Sequence, residues 1–112
     1  MKHNMKLQPK YYNYMLNGTK RIEIRLNDEK RKNINLGDTI IFTNTSTNES
    51  FNTKVIGLLN YRTFEDMLKD FDMSILADKS ITKNELINVL EEFYSKEMQE
   101  KYGVLGIRIE LL

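Results

Sequence analysis

Residues 18–25 read GTKRIEIR, a stretch in which four charged side chains surround two isoleucines directly after a turn-forming glycine. In a β-strand, successive side chains point to opposite faces. A strand over residues 21–26 would therefore carry Arg21, Glu23 and Arg25 on one face and apolar side chains on the other. The stretch predicts a turn followed by a strand with an apolar core face and a charged face.

Lys20 is separated from Glu23 and Arg25 by odd numbers of positions, so in a continuous strand its side chain would point to the opposite face. It can join Glu23 and Arg25 only from the turn that Gly18 permits, or through a bulge. A carboxylate held between cations would make an anion or polar-ligand site. The competing interpretation is a solvent-facing charged strip, which antiparallel sheets commonly carry and in which ion pairs contribute little. Spacing alone favours this second interpretation.

The composition is that of an ordinary globular protein. The 112 residues are 40% hydrophobic and 29% charged, which predicts one domain over residues 1–112 with a single core. No apolar run is long enough to span a membrane, and no apolar stretch follows Lys2 and His3, so we expect no secretory signal. Cysteine is absent, which favours the cytoplasm and excludes thiolate metal sites. With His3 as the only histidine, we expect no metal and no cofactor.

Charge is distributed unevenly along the chain. Residues 1–56 hold ten basic and five acidic side chains, a net charge of +5, whereas residues 57–112 hold seven and eleven, a net charge of −4. The basic half contains the 18–25 stretch, so positive potential is expected near it. The excess is too small for tight, non-specific binding to duplex nucleic acid, which needs many phosphate contacts.

Periodicity predicts the order of the elements. Strands are expected over 5–7, 21–26, 39–42, 51–59 and 104–111, with Gly57 as a bulge and a polar hairpin loop over 44–49. A first helix should run from Pro9 to a stop at Gly18, and later helices should begin at Thr63, Thr82 and Ser95. In the third helix, Thr82 and Glu85 form a capping-box pattern ahead of apolar residues at helical spacing, which are Leu86, Val89, Leu90 and Phe93.

This order predicts an α+β fold, a small, partly open β-barrel flanked by helices. Pairing of the last strand with the first ones would close the sheet. The string Gly18-x-Lys20-x-x-Glu23-x-Arg25, between a tyrosine-rich helix and a Gly37-Asp38 turn into an apolar strand, resembles the motif of the ASCH family of PUA-like domains. The resemblance covers the whole chain. It implies a PUA-like barrel with a cleft that binds RNA or a modified base.

The resemblance carries Lys20, Glu23 and Arg25 over as the residues that line the cleft, with Gly18 shaping the turn. Arg25 can donate two parallel hydrogen bonds to a phosphate or a base edge, and Lys20 would supply a mobile positive charge. Glu23 can accept from an exocyclic amine or hold the two cations in place. The expected partner is RNA, another single-stranded nucleic acid or a nucleoside-sized ligand. No membrane interaction is expected.

Bases outside a duplex are held mainly by aromatic faces. The candidate stacking residues are Tyr11, Tyr12, Tyr14, Tyr94 and Tyr102, of which we select Tyr12 and Tyr102 as ligand contacts. Lys30 and Arg31 lie in a polar loop and are candidates for contacts to backbone phosphates, although such a charge run is more often a solvated surface.

Two enzymatic alternatives come from the resemblance, and both would use Lys20 and Glu23 as catalytic residues. Some relatives resemble amidohydrolases that deacetylate acetylcytidine, but Glu23 stands where their threonine nucleophile would be. A metal-free ribonuclease would need Glu23 to take a proton between stabilising cations, without a histidine pair. An interaction protein that packs apolar surface on a partner is the third class. Binding ranks above catalysis.

Overall fold

A five-stranded sheet, curled into a half-barrel, organises the computed structural model, which describes residues 1–77 and 80–112. The strands are β1 (Lys2–Leu7), β2 (Ile22–Leu26), β3 (Thr39–Asn44), β4 (Ser50–Tyr61) and β5 (Val104–Leu111). The helices are α1 (Pro9–Leu16), α2 (Phe64–Lys69), α3 (Met73–Leu76), α4 (Lys83–Phe93) and α5 (Lys96–Tyr102), and a 3₁₀ turn spans Arg31–Asn33. The predicted α+β class and the partly open barrel are confirmed.

The strand order is β1-β3-β4-β5-β2, so β1 and β2 are the two edges of the sheet. β1 pairs with β3 in parallel, and all other pairs are antiparallel. The expectation that the last strand pairs with the first ones is only half right. β5 pairs with β2, but β1 pairs with β3, so the sheet is not closed between its two edges.

Local sequence signals fix several boundaries as predicted. Gly57 marks a register shift between β4 and β5, and a Cβ at this position would lie 3.1 Å from Cβ of Arg108. Serine or threonine hydroxyls accept hydrogen bonds from backbone amides at the starts of α2, α4 and α5; these caps are Thr63, Thr82 and Ser95. The short α3 and the full length of β1 were not predicted.

The buried side chains form two clusters on opposite sides of the sheet. The first includes Met15 of α1 and Phe42 of β3. The second packs β2 and the start of β5 against α2, α3 and α4, and includes the fully buried Phe64 and Leu76. β2 is therefore covered on both faces, and Glu23 is only 5% exposed. The solvent-facing charged strip is thus excluded for this strand.

The helices are short, and in the described part of the chain none has the length and apolarity to cross a membrane.

Candidate functional site

A cavity of about 230 Å³ lies between the two edge strands of the sheet. β1 and the residue after it contribute Lys6, Leu7 and Gln8, and β2 contributes Glu23, Ile24 and Arg25. Helices complete the wall with Tyr11, Leu86, Val89, Leu90 and Phe93, together with Lys20, Thr45 and Tyr94. The opening in the half-barrel is therefore the place where the predicted charged residues meet.

Arg25 bridges the opening. Its Nη2 donates to the carbonyl oxygen of Lys6 on β1 at 2.8 Å, and its Nε and Nη2 donate to Oε2 of Glu23 at 3.0 and 2.9 Å. The side chain is 16% exposed. Burial acts to lower the pKa of Arg25, but Glu23 and the side chain of Tyr94 outweigh it and raise the pKa. Arg25 is thus a fixed cation in the cavity wall.

Glu23 holds the cations in place. Its Oε1 accepts from the amide of Ile24 at 3.0 Å and lies 3.5 Å from Nζ of Lys20, while Oε2 accepts from Arg25. Burial acts to raise the pKa of Glu23, but attraction to Arg25 and Lys20, with the hydrogen bonds, lowers it below the ordinary value. Glu23 is therefore a carboxylate at neutral pH with both oxygens engaged.

Lys20 reaches Glu23 from the turn, as its parity requires, but it is not mobile. Its Nζ donates to the carbonyl oxygens of Ile22 and Leu76 at 2.7 Å each, and the residue is 4% exposed. Burial lowers the pKa of Lys20, and Glu23 opposes this shift. Together with Glu23, the two carbonyls occupy the three donors of an ammonium group. The expectation of a mobile charge is wrong.

Gly18 shapes the turn but does not line the cavity. Its φ is +86°, in the left-handed region that favours glycine, and its amide donates to the carbonyl of Met15 at 3.1 Å. Two residues later the Lys20 amide donates to the carbonyl of Tyr14. This pair of hydrogen bonds ends α1 and directs the Lys20 side chain to the wall of the cavity.

The aromatic residues of the cavity are not the two we selected. Tyr11 and Tyr94 line it, whereas Tyr12 is 5% exposed and packs in the core with its ring 4.9 Å from that of Phe51. Tyr102 packs elsewhere in the second cluster. The signal was present in the sequence. Tyr12 and Met15 form an apolar i, i+3 pair, which leaves Tyr11 on a neighbouring face of α1.

The apolar face of α4, which the helical spacing predicts, is only partly buried. Leu86 is buried, but Val89 and Leu90 are half-buried and Phe93 is 59% exposed. These side chains form one wall of the cavity. Periodicity identified the face, but not that it borders a cavity.

Lys30 and Arg31 are not brought to this cavity. They line a second pocket of about 260 Å³ with Lys2, His3, Asn4, Met5 and Ile34. Within residues 1–77 and 80–112, no three histidine or acidic side chains lie close enough together to hold a metal ion.

Comparison with known proteins identifies the kind of domain. The family model of the ASCH domain matches residues 5–112. The crystal structure of hypothetical protein PH0355 is 37% identical, covers 100% of both chains and superposes with a TM-score of 0.88. The solution structure of protein PF0455 from Pyrococcus furiosus is 33% identical over 100% of this chain and 98% of its own, with a TM-score of 0.80. The ASCH domain from Lactobacillus crispatus shares the fold at 15% identity, over 98% of this chain and 79% of its own, with a TM-score of 0.67. No curated protein matches.

Proposed function

Because the chain belongs to the ASCH domain family, we propose that the cavity between β1 and β2 binds a base of single-stranded RNA or a nucleotide-sized ligand. The family resemblance supplies RNA as the ligand class. The observation that carries the proposal is a partly exposed arginine, fixed by a carboxylate, in the wall of a cavity that is also lined by two tyrosines.

The chemistry of the wall suits a nucleobase. Arg25 offers hydrogen-bond donors to a base edge or a phosphate, and its position is set before any ligand arrives because Glu23 and the Lys6 carbonyl hold it. Tyr11 and Tyr94 add aromatic surface, which binds unstacked bases in RNA. Recognition of a base that is splayed out of its stack requires hydrogen-bond donors beside aromatic rings, and this wall provides both.

The size of the cavity supports a small occupant. Pockets for drug-sized ligands enclose roughly 300–1,000 Å³, and this cavity is smaller at about 230 Å³. A cavity of about 230 Å³ suits a single base better than a folded RNA element. Exposed Phe93 at the same wall could stack a neighbouring base.

Hydrolysis has less support. A general base needs a pKa near the operating pH, and the cations beside Glu23 move its pKa in the opposite direction. Both of its oxygens also accept hydrogen bonds from the protein. The amidohydrolase alternative further lacks its threonine, because Glu23 occupies that position. We therefore rank binding above either reaction.

The test is the affinity of a labelled, short single-stranded RNA for wild type and Arg25→Ala, measured by fluorescence anisotropy across a salt series. A hydrogen bond to a charged group contributes about 1.5–3 kcal/mol, so Arg25→Ala should weaken binding by about 10- to 160-fold. Arg21→Ala is the matched control, because Arg21 is exposed and does not line the cavity. Each variant is measured where its unfolding curve shows it fully folded.

Equal losses for Arg25→Ala and Arg21→Ala would mean that only net charge matters and would contradict the cavity as the site. Absence of binding to wild type at low salt would contradict the RNA proposal altogether. Analysis of the RNA on a gel after incubation also distinguishes binding from cleavage, because cut RNA would restore the ribonuclease alternative.

A further inference from the structure

The second pocket is strongly basic and lies on the same edge strand as the first cavity. Lys2, Lys30 and Arg31 line it, and among the residues that the structure describes no acidic side chain does. Its volume is about 260 Å³. A concave surface with three cations and no carboxylate in its wall favours an anion.

Arg31 carries a donor without an acceptor. Its Nε is buried and has no hydrogen-bond partner, and it is the only such side-chain atom found in the described part of the chain. A buried polar group that lacks a partner is costly, and native proteins rarely leave one without a functional reason. An anion in this pocket would supply acceptor oxygens for the Arg31 guanidinium.

The backbone of β1 adds donors on the same side. The Leu7 carbonyl accepts from the Thr45 amide, whereas the Lys6 carbonyl accepts from a side chain of β2 on the opposite side. Because backbone groups alternate in direction along a strand, those of Lys2 and Asn4 also point away from β3. They border the basic pocket. Backbone amides and guanidinium groups are standard ligands of phosphate oxygens.

The carboxylate that contacts His3 of the pocket wall is already engaged. Asp38 pairs with Nε2 of His3 at 2.8 Å and lies 3.3 Å from the N-terminal ammonium of Met1. It also accepts from the amide of Asn35. Its charge is compensated by these partners. In the basic loop itself, Asp28 accepts from the Arg31 amide at 3.1 Å and Glu29 lies 3.7 Å from Lys32, so residues 28–32 keep a net charge of +1.

We infer that this pocket is a phosphate subsite for the same RNA strand whose base occupies the first cavity. The two sites share β1, with Lys6 and Leu7 at the cavity and Lys2 to Met5 at the pocket. Four residues of strand span about 13 Å, a distance that an RNA strand of a few nucleotides covers. The inference rests on the proposed function and explains why Lys30 and Arg31 lie apart from Arg25.

Lys32 provides a matched control in the same loop. It is exposed, lies 3.7 Å from Glu29 and does not line the pocket. Arg31→Gln and Lys32→Gln therefore remove the same charge one position apart, one from the pocket and one from the open surface.

The experiment measures the affinity of the labelled short RNA for wild type, Arg31→Gln and Lys32→Gln across a salt series. Each lost phosphate contact lowers the salt slope for a single strand by about 0.7. Arg31→Gln should show this decrease and bind several-fold more weakly at low salt, and Lys30→Gln combined with it should double the decrease. Lys32→Gln should match wild type. Unfolding curves confirm that each variant is folded.

Identical behaviour of Arg31→Gln and Lys32→Gln, with binding still dependent on Arg25, would overturn the subsite and leave the proposed function intact. Absence of RNA binding to wild type would overturn both. If a second protein strand covers the outer edge of β1 instead, the amides of Lys2 and Asn4 would become protected from hydrogen exchange as protein concentration rises without RNA. That result would also overturn the subsite.

Discussion

At the scale of single residues, the three charged side chains of the motif have different tasks. Glu23 lies between Lys20 and Arg25 and binds both. Lys20 donates hydrogen bonds to the backbone carbonyl oxygens of Ile22 and Leu76, and thereby connects β2 to the end of α3. All three line the cavity and are held in place, and Arg25 is the most exposed of them, with 16% of its side chain accessible against 4% for Lys20 and 6% for Glu23. The motif is thus mainly a device that holds one arginine.

Lys20→Met should test whether Lys20 is structural. The substitution keeps the length of the side chain but leaves Glu23 with one cation fewer and two carbonyl oxygens without a donor. Loss of one partner from a buried charge pair costs about 3–5 kcal/mol, and urea unfolding should show a decrease of this order. Lys10→Met, at an exposed position of α1, is the control and should change stability little. Wild-type stability combined with lost RNA binding would instead make Lys20 a ligand contact.

The sequence predicted that Lys20, Glu23 and Arg25 meet, because parity and a turn are local properties. It did not predict which of them is free to contact a ligand. That depends on the carbonyl of Leu76, which lies 56 positions further along the chain from Lys20. The sequence could have shown that Tyr12 is buried and Tyr11 is not, because the apolar i, i+3 pair Tyr12 and Met15 defines the buried face of α1.

At the scale of elements, α4 is a helix whose apolar face is only partly covered. Leu86 is buried in the second cluster, while the face becomes progressively more exposed toward Phe93. Helix caps were predictable because a cap is a local hydrogen bond. The contact of the apolar face of α4 with the cavity was not predictable, because it depends on where the opening of the barrel lies.

Phe93→Ala should separate binding from stability. Exposed side chains rarely change stability by more than about 0.5 kcal/mol, whereas stacking of a base on an aromatic ring contributes about 1–3 kcal/mol. We therefore expect an unchanged unfolding midpoint and RNA binding weaker by at least about fivefold. Leu36→Ala is the control, because Leu36 is also an exposed apolar residue but does not line the cavity. Equal RNA affinity of the two variants would remove Phe93 from the site.

At the scale of the whole molecule, the opening between β1 and β2 follows from strand order. The chain was expected to close its sheet, but β1 pairs in parallel with β3 and leaves the two edges apart. Side-chain periodicity identifies strands, but their partners are set by long-range packing, which local patterns do not encode. The same arrangement places the first strand and the motif strand on the two sides of the opening, with the basic loop beside the first strand.

The start of β1 is fastened to the rest of the sheet by Asp38, and this contact should make the protein sensitive to acid. Hydrogen bonds from His3, the Asn35 amide and the N-terminal ammonium lower the pKa of Asp38 from 3.8 to about 2. A carboxylate whose pKa is lowered by folding stabilises the folded state above its unfolded pKa, and loses this contribution as pH falls through the folded value. The contribution of Asp38 should therefore be complete above pH 3.8 and disappear toward pH 2.

Asp38→Asn isolates this effect. The variant should be less stable than wild type near pH 6, and the difference between their free energies of unfolding should shrink as the pH falls through the window set by Asp38. Urea unfolding at a series of pH values measures it, with Glu49→Gln in the exposed β3–β4 turn as a control for the loss of one carboxylate. When Asp38 becomes protonated in acid, wild type and Asp38→Asn both have a neutral side chain at this position, so a difference caused by the charge should disappear. A constant difference in the free energy of unfolding down to pH 2 would therefore show that the substitution disrupts packing rather than the charge contact. A difference that closes would mean that the contact fastening the edge strand is electrostatic, and that the strand bordering both proposed ligand sites is held least firmly in acid.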